Sequence, residues 1–236
     1  MGTMRSIDVG KEKIEFEVAF APRKTLEISV HPGGMVTVRA PNGSPWEKIE
    51  DKVRRRARWI WKQQRYFQQF EPRTPARRYV GGETHLYLGR RYRLKVVQGI
   101  QQSVKIMGGF IQVSTHYPGR NEMTQQLVEG WYLERAHVKF AERLNHCFPF
   151  FAERGYTEPP IIIRQLSKRW GSLSPGGRMT LNRELIRAPA ECIDYVITHE
   201  LCHLEHKGHH QEFFDLLSRA MPGWEKRKQH LELALI

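Results

Sequence analysis

The chain has 236 residues, 40% of them hydrophobic and 27% charged, which fits a soluble globular protein of one large domain or two small ones. No apolar run approaches the length that crosses a bilayer, and the opening MGTMRSIDVGKEKIEF lacks the apolar stretch of a secretory signal. The formal net charge of +13 is uneven, because residues 51–100 hold 14 Lys or Arg against 3 Asp or Glu, an excess that suits a polyanion such as nucleic acid or a nucleotide. Cys147, Cys192 and Cys202 are far apart and odd in number, so they form no disulfide framework and lead us to expect a reducing cytoplasm.

Residues 12–40 are expected to form strands. IEFEVAF, TLEISV and MVTVRAP each alternate, and His31-Pro32-Gly33-Gly34 supplies a turn signal. Ser44, Pro45 and Glu47 then read as an N-cap, a first helical residue and the far half of a capping box. The helix they open, WEKIEDKVRRRARWIWKQQRYFQQF, places Ile49, Val53, Ala57, Ile60, Trp61 and Phe67 on an apolar side. Arg54, Arg55, Arg58 and Lys62 stand around the rest and are candidates for holding an anionic partner. EPRTPARRYVGGE follows as a polar link, and we expect a β-rich region with a basic helix over 1–80 and a second region over 81–236, together one compact unit.

Strands return in THLYLGRRYRLKVV and QSVKIMGGFIQVST, with Gly108-Gly109 as a two-residue hairpin turn. A helix from about Glu122 to Cys147 should bury Leu127, Trp131, Leu133, Ala136, Phe140 and Leu144. Ile161–Arg164 reads as a short strand, and no internal repeat stands out. The fold class expected is α+β.

The chemistry is concentrated in YVITHELCHLEHKGHHQEFFDLL, residues 195–217. His199 and His203 are four apart, so a helix would project both toward one metal ion. Glu200 beside them could take a proton from water held by that metal. Gly208 could end the helix, and His209, ten residues after His199, is spaced to reach the same ion. His206 and His210 crowd that turn and are alternatives for the third ligand. A single buried His is more often a satisfied core residue, but three at this spacing with a Glu beside the first point to metal. Cys202 reads as packing.

An ordered series of motifs extends this pattern over nearly the whole chain: RKTLEISV and VTVRAP, RRRARWIWKQQ, Gly82-Glu83 with YLGRRYRL, Lys168-Arg169-Trp170-Gly171-Ser172, Leu181-Asn182, Ala188-Pro189, HELCHL, and His209 four before Phe213. By these it resembles the YgjP-like metal-dependent hydrolases, relatives of the WLM and SprT-like zinc metallopeptidases of the zincin group. Phe214 stands where Trp is usual in that family and Cys202 where Ala is common. The resemblance implies a zincin-like catalytic region with an HExxH helix, zinc at His199, His203 and His209, and Glu200 as general base. It also implies that the RWGS turn lies near the cleft, which makes Arg169 a candidate for stabilising an oxyanion. Trp170, Gly171 and Asn182 have simpler roles open to them: core packing, permitting a turn, and bonding a backbone.

The activity expected is that of a zinc-dependent hydrolase, metallopeptidase-like, acting on a peptide. A zinc-dependent nucleotide phosphohydrolase is the alternative, favoured by the basic block, although no GxxxxGK[ST] phosphate loop is present. A basic nucleic-acid module with structural zinc is a third possibility, which would leave Glu200 without a role. Peptide, nucleotide and nucleic acid are thus the partners in view, and a membrane is not.

Overall fold

The structure is a computed structural model that describes residues 3–10, 12–31, 34–68, 77–167 and 169–234, without the side chains of residues 66 and 67. Gly2, the Pro32-Gly33 turn signal, the Phe67 side chain, residues 71–76 of the link and Lys168 lie outside what is described. Two compact units divide the chain at Thr74 and Pro75.

In unit 1, strands β1 (Thr3–Val9), β2 (Glu12–Ala21), β3 (Glu27–Val30) and β4 (Val36–Pro41) form one sheet in the order β1-β2-β4-β3. The outer pairings are antiparallel and the central β2–β4 pairing is parallel. Alternation turns Ile14, Phe16 and Val18 of β2 to the same core as Val36, Val38 and Ala40 of β4. Strand β1 escapes the sequence pattern because it is an edge, with only Ile7 of its seven residues buried.

Helices α1 (Trp46–Arg55) and α2 (Ala57–Gln68) bury Ile49, Val53, Ala57 and Ile60 in that core. The expected single helix is thus two, divided at Arg56, whose N–H bonds to the carbonyls of Lys52 and Val53. The expected capping box is also absent. Pro45, with ψ of 147°, is the extended residue before α1, and no side chain caps the helix. Ser44 instead donates its N–H to the Pro41 carbonyl in the preceding turn.

Unit 2 opens with β5 (Thr84–Tyr87), β6 (Arg90–Gln98), β7 (Ser103–Met107) and β8 (Phe110–Thr115), in the order β5-β6-β8-β7. Pairing is again antiparallel at the outside and parallel in the centre. Gly108 and Gly109 turn the β7–β8 hairpin at φ of 57° and 80°, which glycine reaches without strain. The two sheets therefore share one plan. Val36, Val38 and Ala40 stand to Ile49, Val53 and Ala57 in sequence as Ile111, Val113 and Thr115 stand to Thr124, Val128 and Tyr132, and all twelve are buried. This is a structural repeat that the sequence pattern does not display.

The helix that follows, α3 (Asn121–Cys147), extends well past the repeat and buries Ala136, Phe140 and Leu144. Its buried residues include Val128 and Tyr132, whereas Leu133 is 39% exposed and Leu127 only partly buried. The stripe follows four-residue spacing from Thr124, and Leu133 falls a step of the helix beyond it. After α4 (Pro149–Ala152), strands β9 (Ile161–Arg164), β10 (Gly171–Leu173) and β11 (Met179–Asn182) form a small sheet in the order β10-β11-β9. A 3-10 turn, Arg183–Arg187, leads to α5 (Ala190–Cys202), α6 (Gln211–Ala220) and α7 (Trp224–Ala234).

Helix α5 is apolar nearly all round, with Ile193, Val196, Ile197 and Leu201 in the unit 2 core, as a helix packed between other elements must be. Polar pairs fix its position. Arg143 of α3 grips Asp194 through both guanidinium nitrogens, with Nε at 2.5 Å from Oδ1. Ahead of α5, Arg187 is buried between Glu184 and Glu129, and Glu129 also accepts from the Tyr79 hydroxyl at 2.6 Å. No helix among the described residues is long and apolar enough to cross a membrane.

Candidate metal centre

His199 lies in the last turn of α5 and His203 is its C-cap residue, so the four-residue step brings both rings to one side. The helix ends there, not at Gly208. The N–H groups of His203, Leu204 and Glu205 bond three residues back, which tightens the backbone into turns. Those turns carry the chain back so that His209, just ahead of α6, meets the helix. Its Nε2 is 3.0 Å from Nε2 of His199. One nitrogen from each of His199, His203 and His209 lies within 4.8 Å of the others.

Phe213 of α6, fully buried, backs all three imidazoles, with ring centroids at 4.9, 4.8 and 4.7 Å. His206 and His210 do not join the cluster. The His206 carbonyl receives the His203 Nδ1–H at 2.9 Å. His210 precedes α6, and its ring lies over Gly208, where an added Cβ would be 2.9 Å from Nε2. Cys202 is fully buried, and burial pushes its thiol up to about 12.

The donor chemistry fits a divalent cation. His203 Nδ1 bonds to a carbonyl, which leaves Nε2 as the nitrogen available to a metal, the orientation an imidazole ligand needs. Burial, then the neighbouring imidazoles, pushes His199 down to about 3 and His209 also down, so both are neutral bases at ordinary pH. A set of three imidazoles suits zinc.

Glu200 is 6% exposed and lines the same cleft, a cavity of about 720 Å³, with His199, His203 and His209. Burial lifts its carboxyl to about 7, opposed by the Leu173 N–H and by the charge of Arg169. Strand β10 seats this side chain. At Gly171 an added Cβ would come within 2.9 Å of Glu200 Cγ and Oε1. Gly171 has no positive φ among the described residues, so its need is space for Glu200, not the turn expected of it.

Asn182 binds the loop ahead of β10 through Nδ2 to the carbonyls of Leu166 and Arg169, at 2.9 and 3.2 Å, and through its N–H to the Trp170 carbonyl. Arg169 is exposed and lines the cleft, as does Trp170, which also packs against the core. Lys207 on the cleft rim and Leu173 against Glu200 carry no sequence signal for the site, whereas Gly171 belongs to the RWGS segment expected near the cleft. Their roles come from where the chain folds.

The four sequence-derived anion candidates lie in unit 1. Arg54 donates to the Asp8 carbonyl and to Glu50, each at 2.8 Å, and Arg55 pairs with Asp51. Arg58 and Lys62 are exposed and have no hydrogen-bond or ion-pair partner among the described residues.

A buried carboxylate beside three clustered imidazoles is the arrangement of a metal-dependent hydrolase. The YgjP-like metallopeptidase domain matches residues 24–234, and the chain belongs to that family. Among solved structures it is similar to the metallopeptidase zymogen of Pyrococcus abyssi, abylysin. The identity is 23% and the TM-score 0.35, over 39% of this chain and 90% of that one. No curated protein matches it.

Proposed function

We propose that the chain is a zinc-dependent metallopeptidase of the zincin kind, with the metal held by His199, His203 and His209 and with Glu200 as general base. One observation carries this reading. The three histidine nitrogens lie within 4.8 Å of one another, and Glu200 opens onto the same cleft. Bound there, zinc would acidify water and polarise a carbonyl oxygen. Glu200 receives the proton at a carboxylate oxygen and returns it to the leaving amine. The Leu173 N–H and Gly171 hold that carboxylate in place. Arg169 on the rim is positioned to offset negative charge on the substrate oxygen.

A nucleotide phosphohydrolase is the second reading. Arg169 and Lys207 line the cleft with Glu200 as its one carboxylate among the described residues, which suits an anionic ester or anhydride. A nucleic-acid module with structural zinc would leave the burial of Glu200 in the cleft unexplained.

The test begins with metal analysis. The purified protein should carry about one zinc per chain, and His199→Ala, His203→Ala or His209→Ala should remove most of it. His206→Ala and His210→Ala should lose little, and a greater loss from His210→Ala would move the third ligand by one residue. Casein and a panel of nucleoside triphosphates, offered to the zinc-loaded protein, then separate the two readings. Release of pyrophosphate or phosphate with intact casein would favour the second.

A further inference from the structure

Unit 1 contains a second site of a different kind. Along its helical segment Lys52, Arg56 and Trp59 fall on one side at helical spacing, next to Leu26 and Ile28 beside and on the edge strand β3. These five residues line a groove of about 350 Å³. Trp59 is 37% exposed. Lys52 and Arg56 are exposed, about 6 Å apart along the helical segment, and their side chains have no hydrogen-bond or ion-pair partner among the described residues. Arg54 and Arg55 of the same basic run are committed to Glu50 and Asp51. On the β3 side, two cations with unpaired side chains thus stand beside an aromatic face.

We propose that this groove binds single-stranded nucleic acid, with a base stacked on Trp59 and neighbouring phosphates on Lys52 and Arg56. A base offers its face only where it is unstacked, so a lone exposed indole favours a single strand over a duplex. Two cations whose side chains form no ion pair among the described residues complement phosphates, and the apolar residues at the β3 edge can cover the far side of a base. Charge alone would have pointed to the outward residues Arg58 and Lys62. The groove adds a flat ring between an apolar floor and two uncommitted cations. The site is independent of the metal centre, and its test does not use hydrolysis.

The experiment uses the full chain and a fluorescein-labelled oligo(dT) of about fifteen nucleotides, titrated by anisotropy across a salt series, with a duplex and polyglutamate as competitors. Trp59→Ala should weaken oligo(dT) binding by about tenfold or more, and Trp59→Phe should restore most of it. Lys52→Ala with Arg56→Ala should lower the slope of log affinity against log salt by about 1.4, two single-strand phosphate contacts. Arg58→Ala with Lys62→Ala should change both less. Unchanged circular dichroism and zinc content in each variant show that the fold is intact.

The proposal would be overturned by no oligo(dT) binding by the unaltered chain at low salt, by equal affinity in Trp59→Ala, or by competition from polyglutamate as strong as from oligo(dT). A larger loss from the Arg58 and Lys62 pair would overturn it too, by placing the contacts on the outer face.

Discussion

Units 1 and 2 begin on the same plan, four strands in the same order with the same mixture of parallel and antiparallel pairs, followed by a helix that covers one face. They part at the helix. In unit 1 it breaks at Arg56, and the next turns expose Trp59. In unit 2 it continues for 27 residues, and the added turns bring Phe140, Leu144 and Arg143 to α5. The shared sheet is a way to fold, not a way to act. The metal centre depends on what α3 supports beyond the repeat, because a helix carrying His199 and Glu200 in its last turn must be fixed in position as well as formed.

The largest test of that contrast removes the chemistry and leaves the support. Glu200→Gln keeps the shape in the space beside Gly171 but cannot accept a proton. Hydrolysis should fall roughly a hundred- to ten-thousand-fold with zinc content unchanged. Wild-type activity in that variant would make the metal structural and leave unit 2 with no more chemistry than unit 1.

The next test removes the support. Arg143→Ala leaves the Asp194 carboxylate, 11% exposed, without its guanidinium, and should cost unit 2 about 3 kcal/mol in chemical denaturation. A loss within error would mean that apolar packing alone positions α5.

The repeat itself is tested at equivalent positions. Val38 and Val113 are both fully buried on the parallel centre of their sheets, so Val38→Ala and Val113→Ala should each cost about 2 kcal/mol. A much smaller cost in one would show that the two sheets share topology but not packing.

The smallest effect is expected from pH. His85 is fully buried in unit 2, and burial lowers its pKa from 6.5, against the opposing hydrogen bond to Glu83. Protonation therefore favours unfolding. This contribution is fully present above 6.5 and is lost as pH falls from there toward the lower folded value. The thermal midpoint of unit 2 should drop over that range, and His85→Gln should flatten the drop.

Much of this was readable from residue order. Alternation marks β2, β4, β6 and β8 because each has one buried face, and Gly108-Gly109 marks its hairpin because few residues reach those angles. The spacing of His199 and His203 marks two candidate metal ligands because a helix is periodic. What the order hides is what has no local pattern. Strand β1 buries one side chain, and the repeat is kept by Val, Val and Ala in one unit and by Ile, Val and Thr in the other.

The sequence by itself determined the family, the mixed α+β class and the pairing of His199 with His203 beside Glu200, since these are properties of short segments and their spacing. Spacing and resemblance already favoured His209 among three neighbouring histidines, and tertiary structure brought it to the first two, because the turns after His203 set its reach. It also decided that Gly171 and Leu173 would seat Glu200, and that Arg54 and Arg55 would pair with acids while Lys52 and Arg56 stayed free. Those outcomes depend on which distant segments pack together, and packing is fixed by the whole chain at once.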